Sequence, residues 1–374
     1  MTRKLIVAAV SARPYVALAA TAAFDVIALD LFADVDTQAL AQQVLRLPYQ
    51  DGGFEPKAFA SALASLAAED IMGMVYGSGF ESRLGLLQIA AQQLAVNTQH
   101  GLIGNSVDSV RRAKDGLVFF DLLRHYNILH PETRTQAPDQ SQGWLRKRMG
   151  GSGGTQVHRV FQDGAPDTKT LKPSEFVYQR ELSGTPVSLL FLANAQRAEV
   201  IGFNQQFCQP GVGMPFRYGG LVSHADLPAS AKLALQTAAA QLTQALSLKG
   251  LNSLDAILAE DGKVYVLEIN PRLTASAGLY ATDIPLMELH LRASLDGELP
   301  AFQVQPEAKA LAVCYAHHGM EIGDGAWPEW VADIPPAGTV IAQDEPCCTV
   351  QAQAVHAADA WALAQARVAA VLKQ

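Results

Sequence analysis

The first 106 residues alternate short apolar segments with alanine-rich segments, and this alternation restricts the possible folds more than any other feature. The apolar segments are "KLIVAAV", "FDVIALDLF" and "DIMGMVYG". Between or after them, apolar residues recur at helical spacing in "PYVALAATAA", "PKAFASALASLAAE" and "RLGLLQIAAQQL". Short strands that alternate with helices are typical of a parallel sheet with crossover helices. We therefore expect an α/β domain over residues 1–110.

The pattern changes after this domain. The segment "SVDSVRRAKDGLVFFDLLRHYNI" has a capping residue and apolar positions at helical spacing, which predicts one amphipathic helix. It is followed by "GWLRKRM", "TQVHRVF", "EFVYQREL" and "PVSLLFLAN", which alternate between polar and apolar residues. Because glycine and proline separate these segments, they are predicted to form an antiparallel sheet.

The rest of the chain predicts one long helix, a hairpin and a mixed C-terminal lobe. "PASAKLALQTAAAQLTQALSLKG" predicts a helix that stops at Lys249 and Gly250, and "SLDAILAEDGKVYVLEINPR" predicts a hairpin with its turn at "EDGK". From about residue 301, strands and proline turns precede a closing helix. The predicted fold class is a multidomain combination of α/β and α+β, with domains at 1–110, 111–300 and 301–374.

Composition and charge exclude several classes of partner. The 374 residues are 49% hydrophobic, which is enough for more than one core. The net charge of −8 is spread along the chain without a long run of Lys or Arg, so we expect neither nucleic acid nor a membrane as a partner. The early run "LIVAAV" is broken by Ser11, Arg13 and Pro14, which argues against a signal peptide. Four cysteines without a regular spacing predict reduced thiols in a cytoplasmic protein: Cys208, Cys314, Cys347 and Cys348.

A glycine-rich segment, "RKRMGGSGGTQV" at residues 146–157, allows two interpretations. It is either a flexible linker or a loop that closes over the phosphates of a nucleotide, where glycine lets backbone N–H groups approach closely. It is not a P-loop of the Walker type, because Lys147 precedes the glycines and both flanks are predicted strands. The segment alone does not decide between the two interpretations.

The predicted hairpin strand "VLEINPR" carries a second set of candidate residues. Glu268 and Asn270 are two residues apart, so they lie on one face of the strand and offer hard oxygen ligands for Mg²⁺. Arg272 follows as a fixed cation for a phosphoryl group, and Asp255 on the preceding strand could add a second carboxylate. The alternative is an exposed hairpin face with a salt bridge between Glu268 and Arg272.

Two further sets of residues have both a functional and an ordinary interpretation. Asp30 and the turn at residues 77–79 fall where parallel strands end, which is where ligands bind, but ordinary loop chemistry is as good an explanation. His317 and His318 offer a general base or a metal ligand, although a surface or capping role is favoured.

The order of these features resembles the ATP-grasp superfamily. A lysine and a glycine-rich hairpin come first, then "VYQREL" before the turn "SGTPVS", and then an acidic hairpin that ends in "LEINPR". The resemblance covers residues from about 111 to 297, and the region before them is similar to the domain that precedes ATP-grasp domains. It implies a pre-ATP-grasp domain with a parallel sheet, an ATP-grasp domain with antiparallel sheets and a small C-terminal lobe. It also implies ATP and Mg²⁺ or Mn²⁺ as cofactors.

The resemblance implies specific nucleotide-binding residues. Lys147 resembles the lysine that contacts the phosphates and base, residues 147–155 resemble the lid loop, and "QREL" resembles the hinge whose backbone reads adenine, with Glu181 or a neighbour near the ribose. Two departures from the family pattern are Lys114, which precedes an aspartate instead of following one, and Arg148, which stands where a proline often follows the lysine. The implied nucleotide-binding residues are Lys114, Lys147, Gly150, Gly151, Gly153, Gly154, Gln179, Arg180, Glu181 and Leu182.

The resemblance also implies the reaction. Glu268 and Asn270 match the metal ligands, Asp255 fits a further ligand by position, and Arg272 matches the arginine that binds the phosphate and the intermediate. "VYGSGFES", "FRYGGLVS" and "NPRLTAS" are similar to predicted ATP-dependent carboligases, a group that includes tyramine-glutamate ligase of methanofuran biosynthesis. The implied activity is ADP-forming ligation of an acid, with glutamate as the candidate, to a small amine, and a homodimer is the candidate assembly. The alternatives are a non-catalytic ATP-binding or regulatory protein, and a phosphotransferase or carboxylase component.

Overall fold

The N-terminal region forms the predicted parallel sheet. The computed structural model describes residues 3–139, 142–160 and 175–373. The sheet has the strand order β3-β2-β1-β6, and all its pairings are parallel. The elements of this region are β1 (Lys4–Ala8), α1 (Arg13–Thr21), β2 (Asp25–Asp30), α2 (Val35–Leu40), β3 (Gln43–Arg46), β4 (Tyr49–Gln50), β5 (Gly53–Phe54), α3 (Pro56–Ser65), β6 (Met74–Tyr76) and α4 (Leu84–Asn97).

Strand β1 is buried on both faces, which explains its continuous apolar sequence. Leu5 and Val7 belong to the core that includes α1, whereas Ile6 and Ala8 belong to the core beneath α3 and α4. Helices therefore cover both sides of the sheet, and the carboxyl ends of its strands point towards the rest of the molecule.

The segment after the sheet forms two helices, so the prediction of one helix is wrong. Helix α5 (Val107–Lys114) ends at Asp115, and α6 (Gly116–His125) begins directly after it. Asp115 has an extended conformation, and its carboxylate accepts the N–H groups of Leu117 and Val118 at 3.0 and 3.2 Å. The break is a side-chain cap on the second helix, which competes with continuation of the first.

Two antiparallel sheets follow. A four-stranded sheet has the order β7-β10-β8-β9, and an eight-stranded sheet begins with the order β15-β14-β11-β12-β13 and continues with three C-terminal strands. The last residue of the predicted strand "TQVHRVF" lies outside the described residues. The strands are β7 (Thr133–Arg134), β8 (Trp144–Arg148), β9 (Val157–Arg159), β10 (Phe176–Arg180), β11 (Gly184–Asn194), β12 (Ala198–Cys208), β13 (Tyr218–Ser223), β14 (Lys249–Ala259) and β15 (Val264–Asn270).

Helix α7 (Ala229–Leu246) covers the large sheet and ends earlier than predicted. Ser247 adopts a left-handed conformation with φ of 53°, and the N–H of Leu248 bonds to the carbonyl of Thr243 at 3.0 Å. Lys249 and Gly250, the predicted helix end, already pair with β11 as the start of β14. The pairing of β14 along its whole length outweighs the helical propensity of the segment.

The C-terminal residues extend the large sheet. Strands β16, β20 and β18 continue it, and helix α9 packs on β16 and β20. The remaining elements are a 3₁₀ helix (Ala275–Leu279), α8 (Leu286–Leu295), β16 (Ala308–Tyr315), β17 (Met320–Glu321), β18 (Val331–Ala332), β19 (Val340–Ile341), β20 (Pro346–Ala354) and α9 (Ala357–Val371). All four cysteines are free thiols. In the described ranges, every helix is too short or too polar to cross a bilayer.

Candidate functional site

A cavity of about 260 Å³ lies between the small antiparallel sheet and the face of the large sheet. The loop between β8 and β9 covers it, and residues from β10, β12, β14 and β15 line it. Ten of the residues implied by the family resemblance lie in its wall: Lys147, Gly151, Gly153, Gly154, Gln179, Arg180, Glu181, Leu182, Asp255 and Glu268. The lining does not include the other four, which are Lys114, Gly150, Asn270 and Arg272. Lys114 bonds to Glu268 and Asn270 bonds to Asp255, both in the lining, and Gly150 lies against Glu81 beside the cavity.

Two carboxylates face each other across the hairpin. Asp255 on β14 and Glu268 on β15 are partners in the antiparallel register. Asp255 accepts hydrogen bonds from the amides of Gln206 at 3.1 Å and Asn270 at 2.9 Å. Burial and the nearby charge of Glu268 raise the pKa of Asp255 to about 7. The two carboxylates are therefore close enough for each to oppose ionisation of the other.

Two lysines supply positive charge beside these carboxylates. The ammonium of Lys114 is 3.2 Å from a carboxylate oxygen of Glu268 and 2.9 Å from the amide oxygen of Asn270. Burial opposes ionisation of Glu268, but the charges of Lys114 and Lys147 outweigh it and lower its pKa. Burial also lowers the pKa of Lys147, whose ammonium donates to the side-chain oxygen of Gln179 at 3.2 Å.

Arg272 is paired with the N-terminal domain, so the alternative salt bridge to Glu268 does not form. Its Nε donates to the carboxylate of Glu81, and its Nη1 donates to the carbonyl of Leu273 at 3.0 Å. Both partners are buried, with Glu81 5% and Arg272 9% exposed. Burial disfavours ionised Glu81, but the charge of Arg272 lowers its pKa. This pair joins the segment after β15 to the segment after β6 of the parallel sheet, beside the cavity.

Sequence reasoning missed Glu81. The residue follows the glycine turn after β6, and its carboxylate also accepts the N–H groups of Gly79 and Phe80 at 3.2 and 3.3 Å. The sequence feature that could have identified Glu81 is its position in "GSGFES", as an acidic residue at the carboxyl end of a parallel strand. Asp30, which was considered at another strand end, instead accepts the backbone N–H groups of Ala12 and Ala33, as the ordinary loop interpretation expects.

The glycine-rich segment is a hairpin loop that folds over the cavity. Strands β8 and β9 pair on either side of it, with Lys147 opposite Val157. Gly154 has φ of +72°, and a β-carbon there would overlap the carbonyl oxygen of Phe216. A β-carbon at Gly150 would lie 2.8 Å from the carbonyl oxygen of Glu81. The loop therefore packs against the segments that precede β13 and follow β6, and the linker interpretation does not describe it.

The segment implied to form the hinge uses several of its groups within the protein. The N–H groups of Arg180 and Glu181 donate to the carbonyls of Glu132 and Gly143 at 2.8 and 2.9 Å. The carboxylate of Glu181 also accepts from the guanidinium of Arg159, at 2.8 and 3.1 Å. These bonds tie the end of β10 to the segments that precede β7 and β8 and to β9, so the backbone of this wall of the cavity is fixed by the small sheet.

The candidate metal ligands form a set of hard oxygen donors. Asp255 and Glu268 contribute carboxylates and Asn270 contributes an amide oxygen, which suits Mg²⁺ or Mn²⁺ better than a softer metal. Burial and then the charge of Glu268 raise the pKa of Asp255, and a bound cation would offset both effects. The site has two carboxylates, and nowhere in the described part of the chain do three or more His, Cys, Asp or Glu side chains come together as a metal-binding group. His317 and His318 are exposed and lie outside this cavity, so the surface role fits them.

The comparisons with known proteins agree with this architecture. Residues 113–276 match the family model of the ATP-grasp domain. The L-amino acid ligase of Bacillus licheniformis is 14% identical and superimposes with a TM-score of 0.69, over 97% of this chain and 96% of its own. The biotin carboxylase of Campylobacter jejuni is 13% identical with a TM-score of 0.71, over 96% of this chain and 89% of its own.

An ADP complex of N5-carboxyaminoimidazole ribonucleotide synthetase gives a similar result. It is 14% identical with a TM-score of 0.69, and the match covers 100% of this chain and 98% of that one. At such identities the structural likeness shows a shared fold. The family match shows an ATP-grasp domain at residues 113–276, and together with the shared fold it supports membership of the ATP-grasp superfamily.

Proposed function

We propose that the protein is an ADP-forming ligase that joins a carboxylate to an amine through an acyl phosphate. The observation that carries the proposal is one cavity lined by a glycine-rich loop, by Lys147, and by the facing carboxylates Asp255 and Glu268. This combination suits a nucleoside triphosphate, because the phosphates need close backbone donors, cations and oxygen ligands for their metal.

In this proposal the protein provides binding and charge, and no side chain acts as a nucleophile. Asp255, Glu268 and Asn270 would hold Mg²⁺ or Mn²⁺, and the metal would neutralise phosphate charge. Lys114, Lys147 and the glycines of the loop contact the phosphates, while residues 179–182 contact the base and ribose. Closure of the loop residues 147–155 excludes water from the reacting groups.

The reaction has two steps. A carboxylate oxygen of the acid attacks the γ-phosphorus, the bond to the β,γ-bridging oxygen breaks, and ADP leaves. The amine then attacks the acyl carbon, a proton leaves the nitrogen, and phosphate departs. Arg272 lies next to the metal-ligand strand and would stabilise the oxyanion of the second step.

The assignment of specific substrates rests on similarity to other proteins in fold and sequence. The L-amino acid ligase has the same fold, and several segments are similar to the predicted carboligases. We infer that the acid is an amino acid, with glutamate as the first candidate, and that the amine is small. The candidate pathway is the synthesis of a methanofuran-like one-carbon cofactor. We also propose domain limits at residues 110 and 300 and a cytoplasmic location, with a homodimer as the candidate assembly.

The test is nucleotide product analysis with the purified protein. ATP and Mg²⁺ are incubated with glutamate and a panel of aromatic and aliphatic amines, and ADP and AMP are quantified. ADP that forms only when an acid and an amine are both present supports the proposal. AMP as the product would contradict the acyl phosphate route, and nucleotide binding without turnover on any pair would favour the non-catalytic alternative.

A further inference from the structure

Tyr218 has a buried hydroxyl group without a hydrogen-bond partner at the wall of the cavity. It is the first residue of β13 and lines the cavity together with Asp255 and Glu268. Within the described residues, the hydroxyl oxygen is shielded from solvent and has no hydrogen-bond partner. Since buried polar groups in proteins are nearly always paired, such a hydroxyl in a binding cavity indicates a group that meets a ligand.

The main chain of Tyr218 is held in place without its hydroxyl. Its N–H donates to the carbonyl of Gly153 in the glycine-rich loop at 2.9 Å. On the other side, its carbonyl accepts from the hydroxyl of Tyr315 at 2.7 Å. The phenol is therefore positioned by the loop and by strand β16, and it needs no internal hydrogen bond to keep its orientation. Preorganised groups of this kind are characteristic of binding sites.

The neighbours of the phenol place it near the reacting groups. Burial raises the pKa of Tyr218, and the nearby Tyr315, Asp255 and Tyr15 raise it further. The hydroxyl therefore keeps its proton at neutral pH and can donate it in a hydrogen bond. Asp255 is a nearby carboxylate, but its oxygens accept from Gln206 and Asn270, and no hydrogen bond joins it to the phenol. Among the described residues the hydroxyl is left without an acceptor, which a ligand in the cavity can supply.

We propose that the Tyr218 hydroxyl donates a hydrogen bond to an anionic oxygen of the reacting groups, which is either a γ-phosphoryl oxygen or a carboxylate oxygen of the acid. The inference rests on the proposed function, because it assumes phosphoryl transfer in this cavity. A neutral donor stabilises either oxygen without adding a charge beside Lys114 and Lys147. Tyr218 is thus assigned as a substrate-binding residue in addition to those implied by the family resemblance.

The experiment compares Tyr218→Phe with the matched variant Tyr265→Phe. Tyr265 lies on β15 outside the cavity, and its hydroxyl bonds to Asp261 at 3.1 Å. Calorimetric titrations measure three binding affinities: that of Mg·ADP, that of Mg·AMPPNP, and that of L-glutamate for the AMPPNP-loaded protein. We expect the Mg·ADP affinity of Tyr218→Phe to stay within about twofold of the wild-type value. Its affinity for Mg·AMPPNP or for glutamate should fall by about tenfold. Tyr265→Phe should change none of the three.

The pattern of loss distinguishes the two acceptors. A loss for AMPPNP assigns the hydrogen bond to the γ-phosphoryl group, and a loss confined to glutamate assigns it to the carboxylate. The proposal is overturned if neither affinity falls, or if Mg·ADP affinity falls as much as the others. Unfolding temperatures identify any folding defect, and Tyr218→Met, which also lacks the hydroxyl, must reproduce the pattern. The wild-type protein is titrated with Mg·ADP before any variant is compared. If it binds no Mg·ADP, the proposed function itself is overturned, and this failure is separate from a failure of the Tyr218 assignment.

Discussion

At the scale of single residues, two ion pairs lie beside the cavity. Arg272 is paired with Glu81 of the N-terminal domain, whereas Lys114 is paired with Glu268 at the candidate metal site. The first pair is deeply buried, and Glu268 is partly open to the cavity with its side chain 38% exposed. We therefore expect substitution of Glu81 to affect folding and substitution of Glu268 to affect activity.

Glu81→Gln should destabilise the protein by about 3–5 kcal/mol, because it leaves the Arg272 guanidinium buried without a counter-charge. Urea unfolding measures the free energy. The matched control is Glu69→Gln, which breaks the partly exposed 2.6 Å pair with Lys4 and should cost less than about 1 kcal/mol. Equal losses for the two variants would contradict a structural role for the buried pair.

Glu268→Gln should lower metal-dependent turnover by about 100-fold or more, since it removes a negative ligand beside the phosphates. The control is Glu260→Gln, an exposed residue near the turn of the same hairpin. Steady-state ADP release measures turnover, and Mn²⁺ binding to the ADP-loaded protein measures the metal directly. Wild-type metal affinity in the Glu268 variant would exclude this residue as a ligand.

Sequence reasoning found the residues of the hairpin because strand periodicity and register are local. Glu268 and Asn270 share a face by their spacing, and Asp255 follows from antiparallel pairing across the "EDGK" turn. The partner of Arg272 was not predictable in this way. Glu81 is 191 residues away in the chain and meets Arg272 only because the parallel sheet brings its strand ends to the cavity.

At the scale of elements, the loop between β8 and β9 depends on close backbone contact. Gly154 packs against the carbonyl of Phe216, and the carbonyl of Gly153 accepts from the N–H of Tyr218. These contacts hold the loop over the cavity. Local sequence predicted the two flanking strands and the loop, but the contacts to β13 and to the N-terminal domain depend on the tertiary fold.

Gly154→Ala should weaken ADP binding by about tenfold or more, because the methyl group displaces the loop from Phe216. Gly262→Ala is the matched control. Gly262 has a similar φ of +75°, but a β-carbon there meets nothing within 4 Å. Both variants should lose about 1–2 kcal/mol of stability from left-handed strain. If both also lost equal ADP affinity, the contact with Phe216 would not explain the loop position.

The two errors in helix prediction have a common cause. Asp115 fits a helical pattern, but its carboxylate caps the next helix, and Lys249 fits a helix end, but its backbone pairs with β11. In both cases a hydrogen bond that depends on geometry outweighs propensity. Propensity is a weak signal at element boundaries, whereas the existence and type of the long elements were predicted correctly.

At the scale of the whole molecule, an acidic cluster joins the N-terminal domain to the C-terminal strands. Arg13 is 3.0 Å from Asp333, and the backbone N–H groups of Asp333 and Ile334 donate to Asp36. Asp34 is almost fully buried beside them. Burial, followed by the charges of Asp333 and other carboxylates, raises the pKa of Asp34 to about 8.

This cluster should make stability fall as pH rises between about 4 and about 8. Over that range the folded protein keeps a proton on Asp34 that the unfolded chain has released, so rising pH favours unfolding, with a slope of up to about 1.4 kcal/mol per pH unit. Asp34→Asn should reduce the slope, and the exposed Asp226→Asn should not. Urea unfolding at several pH values measures the free energy of unfolding and therefore this slope. An unchanged slope in the Asp34 variant would show that Asp34 ionises normally in the folded protein.

The central claim is that the protein forms an acyl phosphate, and oxygen transfer tests it most directly. The acid identified by product analysis is labelled with ¹⁸O in its carboxylate and supplied with ATP, Mg²⁺ and the amine, and the released phosphate is examined by mass spectrometry. Because the carboxylate oxygen attacks phosphorus and stays with it, one ¹⁸O should appear in each phosphate. Unlabelled phosphate, with all the ¹⁸O outside it, would contradict the proposed reaction.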